Sequence, residues 1–292
     1  MKTYKITKTN QLLVTKTVKL KKINSIIRYA ELGNKSKPTI LLLHGVPENL
    51  QAWYAVAPML SNNYHVLALD WPGFGGSEPL NSLDAYNSQN FADIVADFMS
   101  TMKIKETIIL ASDIALLPAF LIGLKHPEFI SKLIVMDGIP FPRKQYASWE
   151  LNSFARKDSI IGKALVRWFP TIAAQTVYIK GFYRGHSVPK EVRKEFSIDG
   201  KNKNTQDAFL SYFQNFHIGQ TYFETVAHKL QIPVLVVWGK YDRFINIKLG
   251  HEIVEKLPNA ELKIIDKSGH YVHMDKPEAL VKVTTEFIEL NH

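Results

Sequence analysis

Cysteine is absent from the 292 residues of this chain. Disulfide bonds, thiolate metal sites and a cysteine nucleophile are therefore excluded. The sequence also lacks a cluster of metal-ligating side chains and a glycine-rich phosphate-binding loop, so we expect neither a metal ion nor an organic cofactor. The opening residues, MKTYKITKTNQLLV, lack the apolar stretch of a secretory signal, which predicts a cytoplasmic protein.

Long apolar runs are also scarce. The longest, residues 108–124, contains Asp113 and Pro118 near its middle. A carboxylate is costly at the centre of a bilayer, so we expect no membrane insertion. A buried strand that turns sharply into a buried helix explains the run better.

The net charge of +9 is concentrated at the start of the chain. Residues 1–40 hold ten basic residues and one acidic residue, whereas the rest of the chain holds 26 of each. A basic segment on a neutral body is typical of a solvated face, so we expect no nucleic-acid partner.

Short apolar runs alternate with helical patterns along most of the chain. Two lysine-rich segments, residues 12–20 and 23–32, are predicted to form an antiparallel pair. Alternating strands and helices then predict an α/β fold with a mainly parallel, doubly wound sheet. The further strands are predicted at residues 39–44, 64–70, 107–111, 132–137, 233–238 and 261–266, and the helices at residues 50–60, 90–102, 115–125, 247–257 and 277–290.

This rhythm breaks between about residues 141 and 227, which are rich in aromatic residues and contain no buried-strand pattern. An insertion between two strands of an α/β sheet lies over the strand ends, where such sheets bind ligands. We therefore predict a helical lid, or cap, at residues 141–227 on a core of residues 1–140 and 228–292. Its aromatic content predicts a small apolar organic substrate.

A candidate nucleophile lies where a predicted strand meets a predicted helix. Asp113 is flanked two positions away on either side by Ala111 and Ala115. A nucleophile elbow has this form, because its sharp turn presents one side chain and requires small neighbours. In a second interpretation Asp113 only caps the helix. In a third, Ser112 is the nucleophile of an elbow shifted by one residue, which the spacing of the alanines disfavours.

Other strand ends supply the remaining candidates. The backbone N–H of Val46, in His44-Gly45-Val46-Pro47-Glu48, would join that of Ile114 in an oxyanion hole, with Pro47 fixing the loop; an ordinary Gly-Pro turn is the alternative. Asp242 and His270 follow two later strands, in the chain order expected of a catalytic triad. Asp137 is the alternative acid, but Asp242 fits better because of its strand end and its WGxxD context.

The sequence resembles the α/β-hydrolase superfamily over residues 24–290, and its aspartate-nucleophile branch in particular. HGVPENLQAW (44–53) is similar to the HGxPE…W segment of epoxide hydrolases and fluoroacetate-dehalogenase-like enzymes. DWPGFGGS (70–77) resembles the D-x-x-G-x-G-x-S turn of the superfamily. WGKYDRFI (238–245) and SGHYVHMDKPE (268–278) resemble its acid and histidine segments.

The resemblance also implies a substrate site, with Pro47 and Glu48 beside the nucleophile and a lid tyrosine that protonates the departing epoxide oxygen. Tyr212, in FLSYFQNF, lies in the expected part of the lid. Tyr178, Tyr183 and Tyr222 are alternatives.

The elbow departs from the pattern of the branch, since A-S-D-I-A stands where G-H-D-x-G is usual. Val46 and Ile114 replace the polar residues with which haloalkane dehalogenases hold a halide. Ile114 also replaces the arginine of fluoroacetate-dehalogenase-like enzymes. These departures favour epoxide hydrolysis over dehalogenation. A serine-type ester or carbon–carbon bond hydrolase and a non-catalytic ligand-binding relative remain alternatives.

A carboxylate nucleophile also restricts the chemistry. It attacks saturated carbon readily, but attack on an ester would give an anhydride more reactive than the substrate. Asp113 therefore predicts an epoxide or carbon–halogen substrate and a covalent alkyl-enzyme ester. His270, oriented by Asp242, would activate the water that hydrolyses this ester.

Overall fold

The computed structural model describes residues 11–184 and 188–290, so Lys2, Lys5 and Lys8 of the basic N-terminal segment lie outside the described residues. Eight described strands form one sheet. They are β1 (Thr15–Lys19), β2 (Ile26–Leu32), β3 (Thr39–Leu43), β4 (His65–Leu69), β5 (Thr107–Ser112), β6 (Ile130–Met136), β7 (Val234–Gly239) and β8 (Ala260–Ile265).

The strand order is β1-β2-β4-β3-β5-β6-β7-β8. β2 is antiparallel to both of its neighbours, and all other pairs are parallel. The inner strands β3 to β7 are buried along almost their whole length, as expected of parallel strands covered on both faces. This confirms the predicted α/β fold and its mainly parallel sheet.

Twelve α-helices are found among the described residues. They are α1 (Val56–Leu60), α2 (Ser88–Thr101), α3 (Leu116–Lys125), α4 (Trp149–Phe154), α5 (Ile160–Arg167), α6 (Pro170–Gly181), α7 (Lys190–Lys201), α8 (Lys203–Asn215), α9 (His217–Val226), α10 (Lys248–Lys256), α11 (Val272–Asp275) and α12 (Pro277–Leu290). Helices α4 to α9 follow one another between β6 and β7, and we call them the helical insertion. The lid boundaries at residues 141 and 227 stay a prediction.

One predicted helix is wrong in form. Residues 50–60 were expected to be a single helix, but they form a 3-10 turn, Leu50–Trp53, followed by α1. Pro58 explains the break, because its ring lacks an N–H and clashes with the carbonyl four residues earlier. Proline is tolerated only in the first turn of a helix, and the helix therefore begins again at Val56.

The apolar run at residues 108–124 folds as β5, a single 3-10 turn (Asp113–Ala115) and α3. The strand and nearly all of the helix are buried. In the described part of the chain, no helix has both the length and the apolar character needed to span a membrane.

A buried charge network joins the helical insertion to the sheet. Asp70, at the end of β4, is fully buried and forms an ion pair with Arg28 of β2. Arg28 also lies 3.3 Å from Glu195 of α7. On the same helix, the carboxylate of Asp199 accepts a 2.6 Å hydrogen bond from the side chain of Asn49. The network therefore holds α7 against the loops at the carboxyl ends of β3 and β4.

Candidate active site

The turn between β5 and α3 presents Asp113. Its φ is +54°, a left-handed conformation that is uncommon for a residue other than glycine and is tolerated best by Asp and Asn. Ser112, by contrast, has the extended backbone of a strand. The sharp turn therefore falls at the aspartate, and strained positions of this kind cluster at functional sites.

The Asp113 carboxylate lies against two backbone amides. The N–H of Val46 donates to Asp113 Oδ2 at 2.9 Å. The N–H of Ile114 also hydrogen-bonds the carboxylate and lowers its pKa. These are the two amides expected at the oxyanion hole, and the structure brings both to the same side chain.

His270 lies between two carboxylates. Its Nδ1 is 2.9 Å from Asp242 Oδ2, and its Nε2 is 3.9 Å from Asp113 Oδ1. Asp242 Oδ1 accepts hydrogen bonds from the backbone N–H groups of Phe244 and Ile245. Asp242 is thereby fixed in place, and it fixes the imidazole in turn.

Asp137, the alternative acid, is also buried beside this group. Its Oδ1 accepts a 3.1 Å hydrogen bond from the N–H of Gly239, and its Oδ2 has no hydrogen-bond partner among the described residues. Burial and the negative charge of Asp242 raise the pKa of Asp137 well above its ordinary value. Asp242 is therefore the carboxylate that contacts the histidine, and Asp137 lies behind it.

The pKa values of the facing pair describe its resting state. Burial raises the pKa of Asp113 to about 6, against the opposing effects of His270 and the Val46 amide. Burial alone would lower the pKa of His270, but Asp242, Asp113 and Asp137 together raise it to about 10. At pH 7 the pair is therefore a carboxylate facing an imidazolium.

Two glycines allow this close packing, and the sequence interpretation did not single them out. A Cβ on Gly45 would lie 2.7 Å from Asp113 Cβ, and one on Gly138 would lie 2.4 Å from the Asp113 carbonyl oxygen. Both distances are below those that real Cβ atoms show. Each glycine lies two residues after the end of a strand. This position is the sequence signal that could have identified both glycines as part of the site.

A cavity of about 190 Å³ lies between the helical insertion and the loops of the sheet. Pro47 and Glu48 line it as predicted, and the Val46–Pro47 peptide is cis. Phe244 and Tyr271 also line it, and their rings pack edge-on against the His270 ring. Sequence reasoning missed both aromatic residues, although each is within two positions of a triad candidate.

Glu48 has a clear structural role beside this cavity. One of its carboxylate oxygens accepts a hydrogen bond from the N–H of Gly45, and the other lies 3.1 Å from His273 Nε2. Burial would raise the pKa of Glu48, but the interactions with His273 and other nearby histidines outweigh this effect and lower it. The ion pair with His273 thus braces the loop that carries Val46.

Tyr212 does not line the cavity, in contrast to the expected role. Its side chain is fully buried in the core of the sheet and helices. Its hydroxyl donates to the carbonyl oxygen of Ile114 at 2.9 Å and lies 2.9 Å from Ser88 Oγ. Tyr212 therefore ties α8 to the elbow, and we correct its assignment as the proton donor.

Tyr178 of α6, one of the alternatives, does face the cavity. Its buried hydroxyl has no hydrogen-bond partner among the described residues. Burial raises its pKa to about 12, so the hydroxyl keeps its proton at neutral pH. Tyr183 instead packs its ring against Tyr241, and the Tyr222 side chain is 53% exposed.

Comparison with known proteins identifies the family of the chain. The family model for the alpha/beta hydrolase fold matches residues 38–277, which is more than half of the chain. The chain belongs to this family. Its members place their catalytic groups at the strand ends described above, in the order nucleophile, acid, histidine.

Several relatives in the alpha/beta hydrolase family cover most of the chain. Epoxide hydrolase 3 of Xenopus tropicalis is 22% identical, with 93% of this chain and 77% of that protein covered. A 2-hydroxy-6-oxononadienedioate/2-hydroxy-6-oxononatrienedioate hydrolase of Paraburkholderia phymatum is 22% identical, with 90% of each covered. Haloalkane dehalogenase DbeA from Bradyrhizobium elkani shares the fold with a TM-score of 0.81, at 18% identity and with 94% and 97% covered.

The two close glycine contacts lead to a stability prediction. We expect Gly45→Ala to lower the free energy of unfolding by about 1–3 kcal/mol, because the new methyl group overpacks against Asp113. Gly200→Ala in α7 is the matched control, since a Cβ there meets nothing within 4 Å. It should leave stability unchanged or raise it by up to about 1 kcal/mol. Urea unfolding measures both, and equal effects would contradict the packing argument.

Proposed function

We propose that this hydrolase opens epoxides of apolar organic compounds through an alkyl-enzyme ester on Asp113. The observation that carries the proposal is a carboxylate, rather than a hydroxyl, at the elbow. Its Oδ2 is hydrogen-bonded to the Val46 N–H, and its Oδ1 faces His270. A carboxylate attacks saturated carbon readily, whereas its attack on an ester would give an anhydride more reactive than the substrate.

In the first step, Asp113 Oδ1 forms a bond to an epoxide carbon while the bond from that carbon to the ring oxygen breaks. The released oxygen takes the phenolic proton of Tyr178, whose hydroxyl lies in the cavity wall. Asp113 Oδ2 becomes the carbonyl oxygen of the ester and remains beside the Val46 N–H.

Esterification changes the state of His270. The Asp113 charge is one of the three carboxyl interactions that raise the His270 pKa, and it disappears when the ester forms. The imidazolium then releases its proton more readily, and this proton restores the Tyr178 hydroxyl. The neutral ring becomes the base needed for the second step.

In the second step, His270 takes a proton from water as the water oxygen attacks the ester carbonyl carbon. The oxyanion that develops on Oδ2 is stabilised by the N–H groups of Val46 and Ile114, and each such donor contributes about 3–4 kcal/mol in comparable sites. Collapse of the intermediate breaks the carbonyl carbon–Oδ1 bond and gives an alkoxide and a protonated Asp113 carboxyl group. His270 gives its proton to the alkoxide and takes the carboxyl proton in exchange, so that a vicinal diol is released and the Asp113–His270 ion pair is restored.

One group of relatives supports this chemistry, since epoxide hydrolase 3 of Xenopus tropicalis is similar to the chain. Two features favour the epoxide. The side chains of Val46 and Ile114 offer a halide no hydrogen bond, and the Tyr178 hydroxyl supplies the proton that an epoxide oxygen needs.

Trapping the ester tests the proposal. We expect His270→Gln to accumulate a covalent adduct when it is incubated with pooled epoxides and haloalkanes, because the water-activating base is gone. Intact-protein mass spectrometry and peptide mapping should place the adduct on Asp113, and its mass separates epoxide from halide substrates. The double variant Asp113→Ala/His270→Gln is the control and should remain unmodified. An adduct on Ser112 instead, or labelling of the wild type by a fluorophosphonate, would identify a serine-type hydrolase.

Ester formation should depend on the ionisation of Asp113. Because its pKa is raised to about 6, the carboxylate is protonated below that pH and ionised above it. The single-turnover rate of ester formation, measured by rapid quench, should rise with pH through a midpoint near 6 and then level off. In His270→Gln the midpoint should move upward, because the cation that lowers the Asp113 pKa is lost. A midpoint near 4 in both proteins would contradict this assignment.

Removing the Tyr178 hydroxyl should slow ester formation from epoxides but not from alkyl halides. Tyr178→Phe is expected to slow ester formation from an epoxide by about 10²-fold, since general-acid catalysis typically contributes at least that much. Ester formation from an alkyl halide should be unchanged, because a halide leaves without a proton. Tyr222→Phe, at an exposed tyrosine of the insertion, is the matched control. Equal slowing with both substrates would show that Tyr178 only shapes the cavity.

A further inference from the structure

The first three helices of the insertion and their connections carry large apolar side chains on the outside of the molecule. Six of these side chains are between 51% and 77% exposed. We call them the apolar outer face: Trp149, Ile160, Ile161, Trp168, Ile172 and Ile179.

These residues lie on neighbouring helices. α4 packs against α5, and α5 packs against α6. Within the stretch, Ile161 and Trp168 are seven residues apart, as are Ile172 and Ile179, a spacing that places each pair on one side of a helix. Monomeric proteins rarely expose large contiguous apolar patches, and such patches mark surfaces that bind something.

The same helices line the cavity on their inner side, through residues that include Leu165, Val166 and Val177. Trp149 belongs to both surfaces, so the apolar outer face reaches the edge of the cavity. A molecule that binds this face lies next to the cavity.

The charge of the helical insertion indicates which kind of partner binds the apolar outer face. Residues 141–227 hold 13 basic and 7 acidic residues, whereas residues 41–140 hold 4 basic and 10 acidic residues. Residues 41–292 carry no net charge as a whole, but within them the helical insertion is positive and the core is negative. Lys144, Lys157 and Lys163 are exposed near the apolar outer face, and none of them forms an ion pair within the described part of the chain.

A second copy of the chain fits this surface poorly. A twofold dimer through the face would place this positively charged surface against the same surface of the second copy. An anionic lipid surface complements these charges instead. Tryptophan and isoleucine on one side of a helix, with lysine beside them, is also the composition of helices that lie in the membrane interface.

We propose that the apolar outer face docks the protein on an anionic lipid surface. Trp149 and Trp168 lie at the level of the headgroups, and Lys157 and Lys163 contact lipid phosphates. The contact is interfacial and needs no spanning helix. It goes beyond the proposed reaction and does not depend on it, although it would bring the cavity next to a bilayer that dissolves apolar compounds.

Vesicle co-sedimentation of the full chain tests the proposal. The probes are sucrose-loaded vesicles of phosphatidylcholine alone and of phosphatidylcholine with about one-third phosphatidylglycerol. We expect binding to the anionic vesicles to be at least about tenfold tighter, to weaken with salt, and to shift tryptophan emission of the wild type to the blue.

Matched variants separate this face from the basic N-terminal segment, which could also bind anionic lipid. Ile161→Ser/Trp168→Ser should lower binding to anionic vesicles by about tenfold or more, and Lys157→Glu/Lys163→Glu should do the same. Leu83→Ser, at a half-exposed leucine outside the insertion, should bind as the wild type does. Circular dichroism shows that each variant is folded.

Three results would overturn the proposal. The first is the absence of sedimentation and of a blue shift with either vesicle. The second is lipid binding that the face variants leave unchanged, which would assign it to the N-terminal segment. The third is a dimer in sedimentation velocity that Ile161→Ser/Trp168→Ser dissociates while vesicles bind nothing. If a face variant does not fold, the blue shift of the wild type and its salt dependence decide the outcome.

Discussion

The close approach of three backbone loops around one aspartate determines the geometry of the site. Asp113 occupies a left-handed turn, and Gly45 and Gly138 lie so near to it that neither position has room for a Cβ. This packing places the Val46 amide against one carboxylate oxygen and leaves the other facing His270. Since β3, β5 and β6 are neighbours in the sheet, their ends supply all three loops at one edge.

Burial gives this arrangement its chemistry. Taking Asp113 out of water raises its pKa, and the nearby histidine and amides keep it ionised at neutral pH. The surrounding carboxylates in turn keep His270 protonated until one of them is esterified. In the proposed cycle, the same few charges keep Asp113 ionised before the ester forms and allow His270 to act as a base after it has formed.

The sheet was predictable because its inner strands are buried on both faces, so each reads as a short continuous apolar run between polar loops. The positions of Asp113, Asp242 and His270 follow from the strands, since each lies in the segment that follows the end of one. The separate helices of the insertion were not predicted; in α6, apolar side chains occur on all sides and leave no clear period. The sequence also does not show which way a tyrosine of the insertion faces: Tyr212 is buried in the core, whereas Tyr178 lines the cavity.

The choice between Asp242 and Asp137 depended on context rather than on geometry. Asp137 follows β6 and Asp242 follows β7, and these strands are neighbours in the sheet. A sequence pattern therefore does not show which carboxylate contacts the imidazole. In the structure, His270 Nδ1 lies 2.9 Å from Asp242 Oδ2, so Asp242 is the carboxylate in contact.

The two halves of the helical insertion are attached to the core at different places. The Ser148 N–H donates to the Phe244 carbonyl, and the Gly181 carbonyl accepts from the His270 N–H, so α4 to α6 begin and end at residues fixed beside the triad. Farther along, α7 and α8 are held by the Asn49–Asp199 and Tyr212–Ile114 hydrogen bonds. Between these ends, Arg167 of α5 pairs with Asp207 of α8, so an outward movement of the first three helices that widens the cavity has to break this ion pair.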